Sequence, residues 1–422
     1  MAKYIAKRVR FRNGERHSVV QVPYGLPVHE CTVYLDKYRK RGRAANTIHF
    51  VCTSLAFLYR ELDAAKIDLL DRLGRGKFLT IPELGRLASA VQYRVEDLEQ
   101  ETEGEHKHSA NVIDIARIGM RRKIIETPRR PVDVATQASR LRYMADYFEF
   151  LANYVGATLP DAERRAVESE SARALSAFRA HIPEVSKRAK LDARVGLSLD
   201  EQDRLLAVVH PNSPNNPWAR GFVRLRNWLI VVLLLATGMR RGELLGLQVG
   251  DLNTNQPKLR IIRRADALND ARRHQPNTKT NDREIELTPS IMKALWSYIN
   301  KERRAIKLAR SIPQIIVSDE GDALSQSSID KIFEQLRAAC PGLPVRLTSH
   351  VMRHTWNERF SEQAEALGLS ESVEERARNS QQGWSDNSKT ATTYTRRHTA
   401  KKGRELSLKL QERLDEKLSG DE

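Results

Sequence analysis

The chain has 422 residues, more than one ordinary hydrophobic core accommodates, so two or three domains are expected. Its 71 lysines and arginines exceed its 54 aspartates and glutamates, and the net charge of +17 indicates an anionic partner, most commonly nucleic acid. The longest apolar run, 228–239, is too short to span a bilayer, and the amino terminus lacks a secretory signal. Three scattered cysteines suggest a reducing compartment. The prediction is a cytoplasmic, multidomain protein without a membrane partner.

The amino-terminal segment is predicted to form a β-hairpin. The stretches KRVRFR and RHSVVQV flank Asn13 and Gly14, a residue pair typical of tight hairpin turns. Val9 and Phe11 alternate with arginines, which gives one apolar face and one basic face. The basic face is either solvated or in contact with phosphates, and the sequence does not decide between these alternatives.

The rest of the chain is predicted to be mostly helical. Apolar residues recur at helical spacing in 47–62 and 134–155, whereas 98–112 is polar and indicates a loop. Ser198 and Glu201 have the spacing of a capping box, so a helix is expected to begin there. A basic stretch precedes this signal, and the main domain boundary is placed near 190–196.

Two basic residues in the second half of the chain lie next to the ends of predicted helices or strands. Gly238 is expected to end a buried helix, and Arg240 comes directly after that helix with Glu243 three residues later. The pair is either a structural ion pair or an arginine held by a carboxylate and aimed at an anion. Lys279 lies between the predicted strands 258–265 and 282–287. A lysine at the tip of a hairpin is usually solvated, but it can also be placed over a phosphate as a proton donor.

Two further segments carry candidate chemistry. In 349–360, the spacing of His350, Arg353 and His354 puts all three on one face if the segment is helical. This predicts a polar cluster, since a metal site would need a third ligand. Tyr394 follows a polar stretch and precedes basic residues. The ring of such a tyrosine usually packs on a helix surface.

Taken in order, these segments resemble the tyrosine recombinases, also called phage-type integrases. That family has an arginine in a Gly-x-Arg-x-x-Glu-Leu context, a hairpin lysine, a His-x-x-Arg-His box, and Gly-His or Gly-Trp about ten residues before a tyrosine. The corresponding segments here are GMRRGEL at 238–244, TKT at 278–280, HVMRH at 350–354, GW at 383–384, and Tyr394. The resemblance covers 196–400, and the ordered set is far more specific than any single motif.

The resemblance implies roles for these residues in cutting a DNA phosphodiester. Arg240 and Arg353 would hold the phosphate oxygens, because a planar guanidinium suits two-pronged phosphate binding. Lys279 would protonate the leaving 5′-oxygen, and Tyr394 would be the nucleophile. His350 is the acid/base candidate, since imidazole titrates near neutrality. Neither a metal nor another cofactor is implied.

Two departures from the family pattern bear on the site. Trp384 stands where the family usually has histidine, and an indole N–H donates a hydrogen bond but transfers no proton at neutral pH. Trp384 is therefore expected to orient a phosphate oxygen or to pack against the tyrosine segment. A long insert, 266–276, precedes Lys279. His354 is expected to support the site from the protein side.

The predicted fold class is mainly α with small β-sheets. The expected organisation is an N-terminal β-hairpin region, a helical core-binding domain with an inserted loop, a catalytic domain and a C-terminal helix, at 1–27, 28–190, 191–400 and 401–422. The implied partners are double-stranded DNA and three further copies of the chain, in a homo-tetramer assembled by exchange of the C-terminal helix. The expected function is integration or excision of a mobile element. The alternatives are a type IB topoisomerase-like enzyme and a non-catalytic DNA-binding accessory protein.

Overall fold

The structure is a computed structural model and describes residues 4–22, 25–94, 130–185, 196–253, 255–276, 280–385, 388 and 396–418. The chain divides into two compact units, one chiefly within Met1–Arg188 and the other centred on Ala189–Glu422. The described residues are mainly helical, with two two-stranded sheets, and this confirms the predicted fold class. None of the described helices is long and apolar enough to cross a bilayer.

The first unit opens with the predicted hairpin, in which β1 (Ile5–Arg10) pairs antiparallel with β2 (Arg16–Gln21). The hairpin is confirmed, but the strands are joined by five residues rather than by a two-residue turn, so Phe11 and Arg12 lie outside the sheet. The buried strand is β2, because it packs against the second helix of this unit. Phe11 is 41% exposed and contributes no apolar core.

Six described helices complete the first unit: α1 (His29–Lys40), α2 (Ala45–Ala64), α3 (Leu69–Gly74), α4 (Ile81–Ala90), α5 (Val134–Gly156) and α6 (Asp161–Ala180). The helical stripes predicted at 47–62 and 134–155 are confirmed in α2 and α5, whose apolar residues form the core. Tyr147 of α5 lies at the centre, with its hydroxyl 2.7 Å from that of Tyr59. The predicted loop at 98–112 lies outside the described residues.

In the second unit, Gly196 and Leu197 are bonded to a central helix. The Gly196 N–H donates to Glu358 at 2.9 Å, and the Leu197 N–H donates to Thr355 at 2.8 Å. The capping box predicted at Ser198 is confirmed, because its side chain accepts the N–H of Glu201 at the start of α7 (Leu199–Val209). These bonds anchor the entry into α7 on the central helix.

Among its described residues, the second unit has one hydrophobic core, and seven further helices follow α7. They are α8 (Gly221–Thr237), α9 (Arg241–Gly246), α10 (Pro289–Tyr298, continuing as a π-helical stretch Ile299–Arg303), α11 (Gln326–Ala339), α12 (Ser349–Ala366), α13 (Glu371–Gln382) and α14 (Arg396–Leu418). Short 3₁₀ turns occupy Val249–Asp251 and Leu308–Ser311. Residues of α7 to α12 form most of the core. The most apolar helix, α8, packs against α12 and α10, and each of its three fully buried leucines, Leu229, Leu233 and Leu234, stabilises the fold by about 2 kcal/mol.

The second sheet pairs β3 (Lys258–Ile261) with β4 (Arg283–Glu286), so both predicted strands are present but shorter than expected. The insert that follows β3 is anchored to the unit by Arg272. Its guanidinium pairs with Asp270 and donates to the carbonyl oxygens of Leu324 at 2.7 Å and Leu245 at 3.0 Å. These bonds fix one end of the segment that leads into β4.

Candidate active site

The first part of the site is the turn between α8 and α9. Gly238 ends α8 with a φ of +61°, as predicted for a helix stop, and a β-carbon at this position would lie 2.8 Å from the Trp356 ring. Both constraints favour glycine. The turn delivers Arg240 to the N-cap of α9, with its side chain about 29% exposed. Arg240 is thereby held at the surface edge of a buried turn.

Glu243 is buried beneath Arg240 and receives donors from three residues, which lie on two segments of the chain. Its carboxylate accepts the Arg240 N–H at 3.0 Å and lies 3.4 Å from the Arg240 guanidinium. The Thr280 hydroxyl donates to it at 2.6 Å, and Arg283 Nη2 donates at 2.7 Å. A carboxylate with this many partners has a fixed orientation, so it also fixes the backbone that carries Arg240.

The protonation of Glu243 follows from this environment. Burial alone raises the pKa of its carboxyl, but the Arg283 guanidinium, the Thr280 hydroxyl and the charge of Arg353 together hold that pKa below its ordinary value. Glu243 is therefore an anion at neutral pH. Its charge balances nearby guanidinium groups in a part of the protein with little water.

The second part of the site lies on α12, where the three residues predicted to share one face do so. The rings of His350 and His354 lie 5.0 Å apart, edge to face. His354 is buried, whereas His350 is half-buried. Arg353 is only 1% exposed, and its Nη1 donates to the carbonyl oxygen of Gly238 at 2.7 Å. This bond joins α12 to the turn that carries Arg240.

The third part of the site is the turn that ends α13. Gly383 has a φ of +63° and terminates the helix, after which the Trp384 N–H donates to the Asn379 carbonyl at 2.9 Å. The Trp384 ring is 7% exposed, and the Arg353 guanidinium lies 5.0 Å from its centroid. A cation placed over an indole face is attracted by its quadrupole. Trp384 therefore packs against the buried guanidinium of Arg353, a contact that was not among the two roles expected for it, and those two roles stay predictions.

The fold thus brings together Arg240, His350, Arg353 and Trp384, although 144 positions separate the first from the last in the sequence. Lys279 and Tyr394 lie outside the described residues. Sequence reasoning missed Thr280 and Arg283. The only available signal was that both belong to the segment that joins the lysine motif to a strand.

The arrangement suits the binding of a phosphodiester. Arg240 lies in the turn after α8, Arg353 is bonded to that turn, and the Glu243 carboxylate fixes its backbone. The half-buried imidazole of His350 lies one helical turn from Arg353 on α12. Preorganised cations of this kind stabilise charge that develops on phosphoryl oxygens, because they need little rearrangement during the reaction. The buried indole excludes water from one side of Arg353.

Comparison with known proteins assigns the second unit to a family. Residues 197–401 match the model of the phage integrase family, the tyrosine recombinases. This part of the chain belongs to that family, as the order of its motifs predicted. The match begins at Leu197, the residue whose N–H is bonded to α12.

Two curated relatives are tyrosine recombinases. The chain is 27% identical over 175 residues to XerD of Halalkalibacterium halodurans, covering 42% of this chain and 50% of that protein. It is 27% identical over 131 residues to XerC of a Mycobacterium species, covering 31% of this chain and 39% of that protein. The matches span about half the length of these relatives or less.

Solved structures of recombinases are also similar. A lambda integrase dimer bound to a core site matches 87% of this chain and 95% of its own, with a TM-score of 0.45 and 16% identity. The XerH recombinase bound to a palindromic difH substrate matches 67% of this chain and 73% of its own, with a TM-score of 0.41 and 18% identity.

Replacing Glu243 with glutamine is expected to destabilise the second unit by about 3 kcal/mol at neutral pH, because the buried guanidinium groups lose their charged partner. The folded-state pKa of Glu243 is lowered, so its contribution is present above the unfolded pKa of about 4.3 and is lost as the pH falls through the folded value. Urea unfolding of wild type and Glu243→Gln at several pH values measures this difference.

The difference in unfolding free energy should therefore be largest near neutrality and shrink on acidification. Glu286→Gln is the matched control, because Glu286 lies on β4 with its side chain 79% exposed. That variant should unfold like wild type at every pH. A Glu243 contribution that stays constant or grows as the pH falls would show that its carboxylate is not held ionised by its partners.

Proposed function

We propose that this protein is a tyrosine-type site-specific recombinase that cuts and rejoins double-stranded DNA through a 3′-phosphotyrosine intermediate. The phenolic oxygen of Tyr394 forms a bond to the scissile phosphorus, and the bond from phosphorus to the 5′-oxygen breaks. The phenolic proton leaves to a base, and a general acid protonates the 5′-oxygen. Because the bond energy is kept in the protein–DNA link, the reverse attack by a 5′-hydroxyl rejoins DNA without a cofactor.

The observation that carries this proposal is the convergence of Arg240 and Arg353 on one turn. The Arg353 guanidinium is bonded to the carbonyl of Gly238, two residues before Arg240. Attack on a phosphodiester places extra negative charge on the non-bridging oxygens. Two guanidinium groups held at one turn stabilise that charge. His350 serves as acid/base beside them, and Lys279 is assigned the proton for the leaving oxygen.

The biological role proposed for this activity is integration or excision of a mobile element. A basic protein that contacts DNA phosphates binds DNA with an affinity that falls steeply as the salt concentration rises, because each neutralised phosphate releases counterions. The net charge of +17 supports such binding. Specific sites are then selected by contacts beyond the phosphates.

A tetramer joined through α14 is part of the proposal. The first turns of α14 are bonded to α12 of the same chain, where Glu365 pairs with Lys402 at 2.5 Å and with His398 at 3.1 Å. Further along, Leu406 and Leu408 are 64% and 56% exposed. Exposed leucines on an otherwise charged helix support a role as the contact to a neighbouring protomer.

A plasmid assay separates this function from its two alternatives. A supercoiled plasmid with two copies of a candidate element-end sequence is incubated with the protein, and the products are resolved on a gel. A recombinase yields two recombinant circles only when both sites are present. Relaxation of any plasmid, without recombinants, would favour the topoisomerase-like enzyme, and salt-sensitive binding with unchanged plasmid would favour the accessory protein.

A further inference from the structure

The residue Arg283 makes contacts that its position at the start of an exposed strand does not explain. Its side chain is only 6% exposed, and its guanidinium donates to three different segments. Nη2 donates to Glu243 at 2.7 Å, Nε donates to the carbonyl oxygen of Gln381 at 2.7 Å, and Nη1 donates to the Thr280 hydroxyl at 3.3 Å. Arg283 therefore links β4, the buried carboxylate and the last turn of α13.

The contact between β4 and the turn after α13 is close-packed. The Asn281 N–H donates to the carbonyl oxygen of Gly383 at 2.9 Å. A β-carbon at Gly383 would lie 2.9 Å from Arg283 Nη1 and 2.8 Å from the Asn281 oxygen. No side chain fits there, so the turn that leads to Trp384 rests directly on the strand end that carries Arg283.

Glu243 couples the position of Arg283 to that of Arg240, the proposed phosphate-binding arginine. The carboxylate oxygen that accepts Arg283 Nη2 also accepts the Arg240 N–H at 3.0 Å. Without Arg283, the buried carboxylate would lose its shortest guanidinium contact and would be free to turn toward Arg240. A buried carboxylate that is short of partners binds the nearest guanidinium more tightly, and that guanidinium is then less available to an anion.

We infer that Arg283 is a positioning residue of the DNA-cleavage reaction, which acts through Glu243 to orient the Arg240 guanidinium toward the scissile phosphate. Arg283 itself need not touch the DNA. The inference rests on the proposed function, and it adds a residue to the machinery that none of the five family motifs contains.

The test compares two DNA substrates that differ in the negative charge on the scissile phosphate. Both are nicked suicide duplexes carrying a candidate element-end sequence; one has an ordinary scissile phosphate and the other a methylphosphonate. The methyl group replaces a non-bridging oxygen and removes its negative charge, so orientation of a cation matters less to the reaction. The measurement is the single-turnover rate of covalent protein–DNA complex formation.

On the ordinary phosphate, Arg283→Gln is expected to slow the reaction by about 10- to 100-fold, as a misplaced catalytic group does. On the methylphosphonate, Arg283→Gln should react within about twofold of the wild-type rate. Arg240→Ala should likewise approach the wild-type rate on that substrate. Arg260→Gln is the control, because Arg260 lies on the paired strand, is exposed and donates to the Gly250 carbonyl instead. Arg260→Gln should match wild type on both substrates.

A second variant distinguishes a positioning role of Arg283 from a loss of folding. Arg283→Lys keeps a cation opposite Glu243 but cannot reach Gln381 and Glu243 at once, so it should show a smaller deficit with the same rescue. An equal deficit of the Arg283 variants on both substrates, or no deficit on the phosphate, would overturn the inference. A wild-type protein that forms no covalent complex with either duplex would count against the proposed function instead.

Discussion

Replacing Tyr394 with phenylalanine is expected to abolish covalent complex formation, with a loss of at least about 10⁴-fold, as removal of an enzyme nucleophile typically causes. The phenylalanine ring keeps the shape and apolar surface of tyrosine but has no oxygen to attack phosphorus. DNA affinity and its salt dependence should stay at the wild-type level, because the cations that bind phosphate are unchanged. A denaturing gel of the suicide-duplex reaction measures the adduct, and a mobility-shift titration measures affinity.

The control for this substitution is Tyr154→Phe, which removes an equivalent hydroxyl from a tyrosine that is 39% exposed on the first unit. That variant should form the covalent complex at the wild-type rate. Persistence of the adduct in Tyr394→Phe would mean that a different residue attacks the phosphate. The motif assignment at the carboxyl end of the family domain would then be wrong.

Replacing Arg353 with alanine is expected to reduce the rate of covalent complex formation by about 10²–10³-fold, comparable with loss of one preorganised donor to a developing oxyanion. The guanidinium is buried between the Gly238 carbonyl and the Trp384 ring, so its direction is set before DNA arrives. Arg353→Lys should recover only part of the rate. A lysine ammonium is a compact point charge and cannot reproduce the planar fork of donors.

Thermal unfolding of both Arg353 variants separates catalysis from folding. A fall in melting temperature is expected for alanine, since removing a buried guanidinium leaves a cavity beside Trp384. A sample held well below its melting temperature is still expected to show the rate loss. A folded Arg353→Ala protein that cleaves at the wild-type rate would contradict the assignment of Arg353 as a phosphate clamp.

Local signals were enough to predict much of this fold. The capping box at Ser198 and the helix stop at Gly238 depend on residues within one turn of each other, so the sequence shows them directly. The same holds for α2 and α5, whose apolar spacing defines their buried faces. The residues on one face of α12 were likewise predictable once the segment was helical.

The parts that the sequence did not reveal depend on contacts between distant segments. Arg283 and Glu243 are 40 positions apart, and only the pairing of β3 with β4 and the position of α9 bring them together. The hairpin of the first unit has a five-residue connection, although the pair Asn13 and Gly14 is typical of a two-residue turn. The anchoring of the insert by Arg272 also depends on carbonyl groups of other segments.

The proposed phosphotyrosine mechanism depends on which residue becomes linked to DNA. Wild-type protein is trapped on a nicked suicide duplex, digested with a protease and a nuclease, and the modified peptide is sequenced by mass spectrometry. A single adduct is expected on Tyr394, joined to the 3′-phosphate of the cut strand. An adduct on any other residue, or a linkage to a 5′-phosphate, would contradict it.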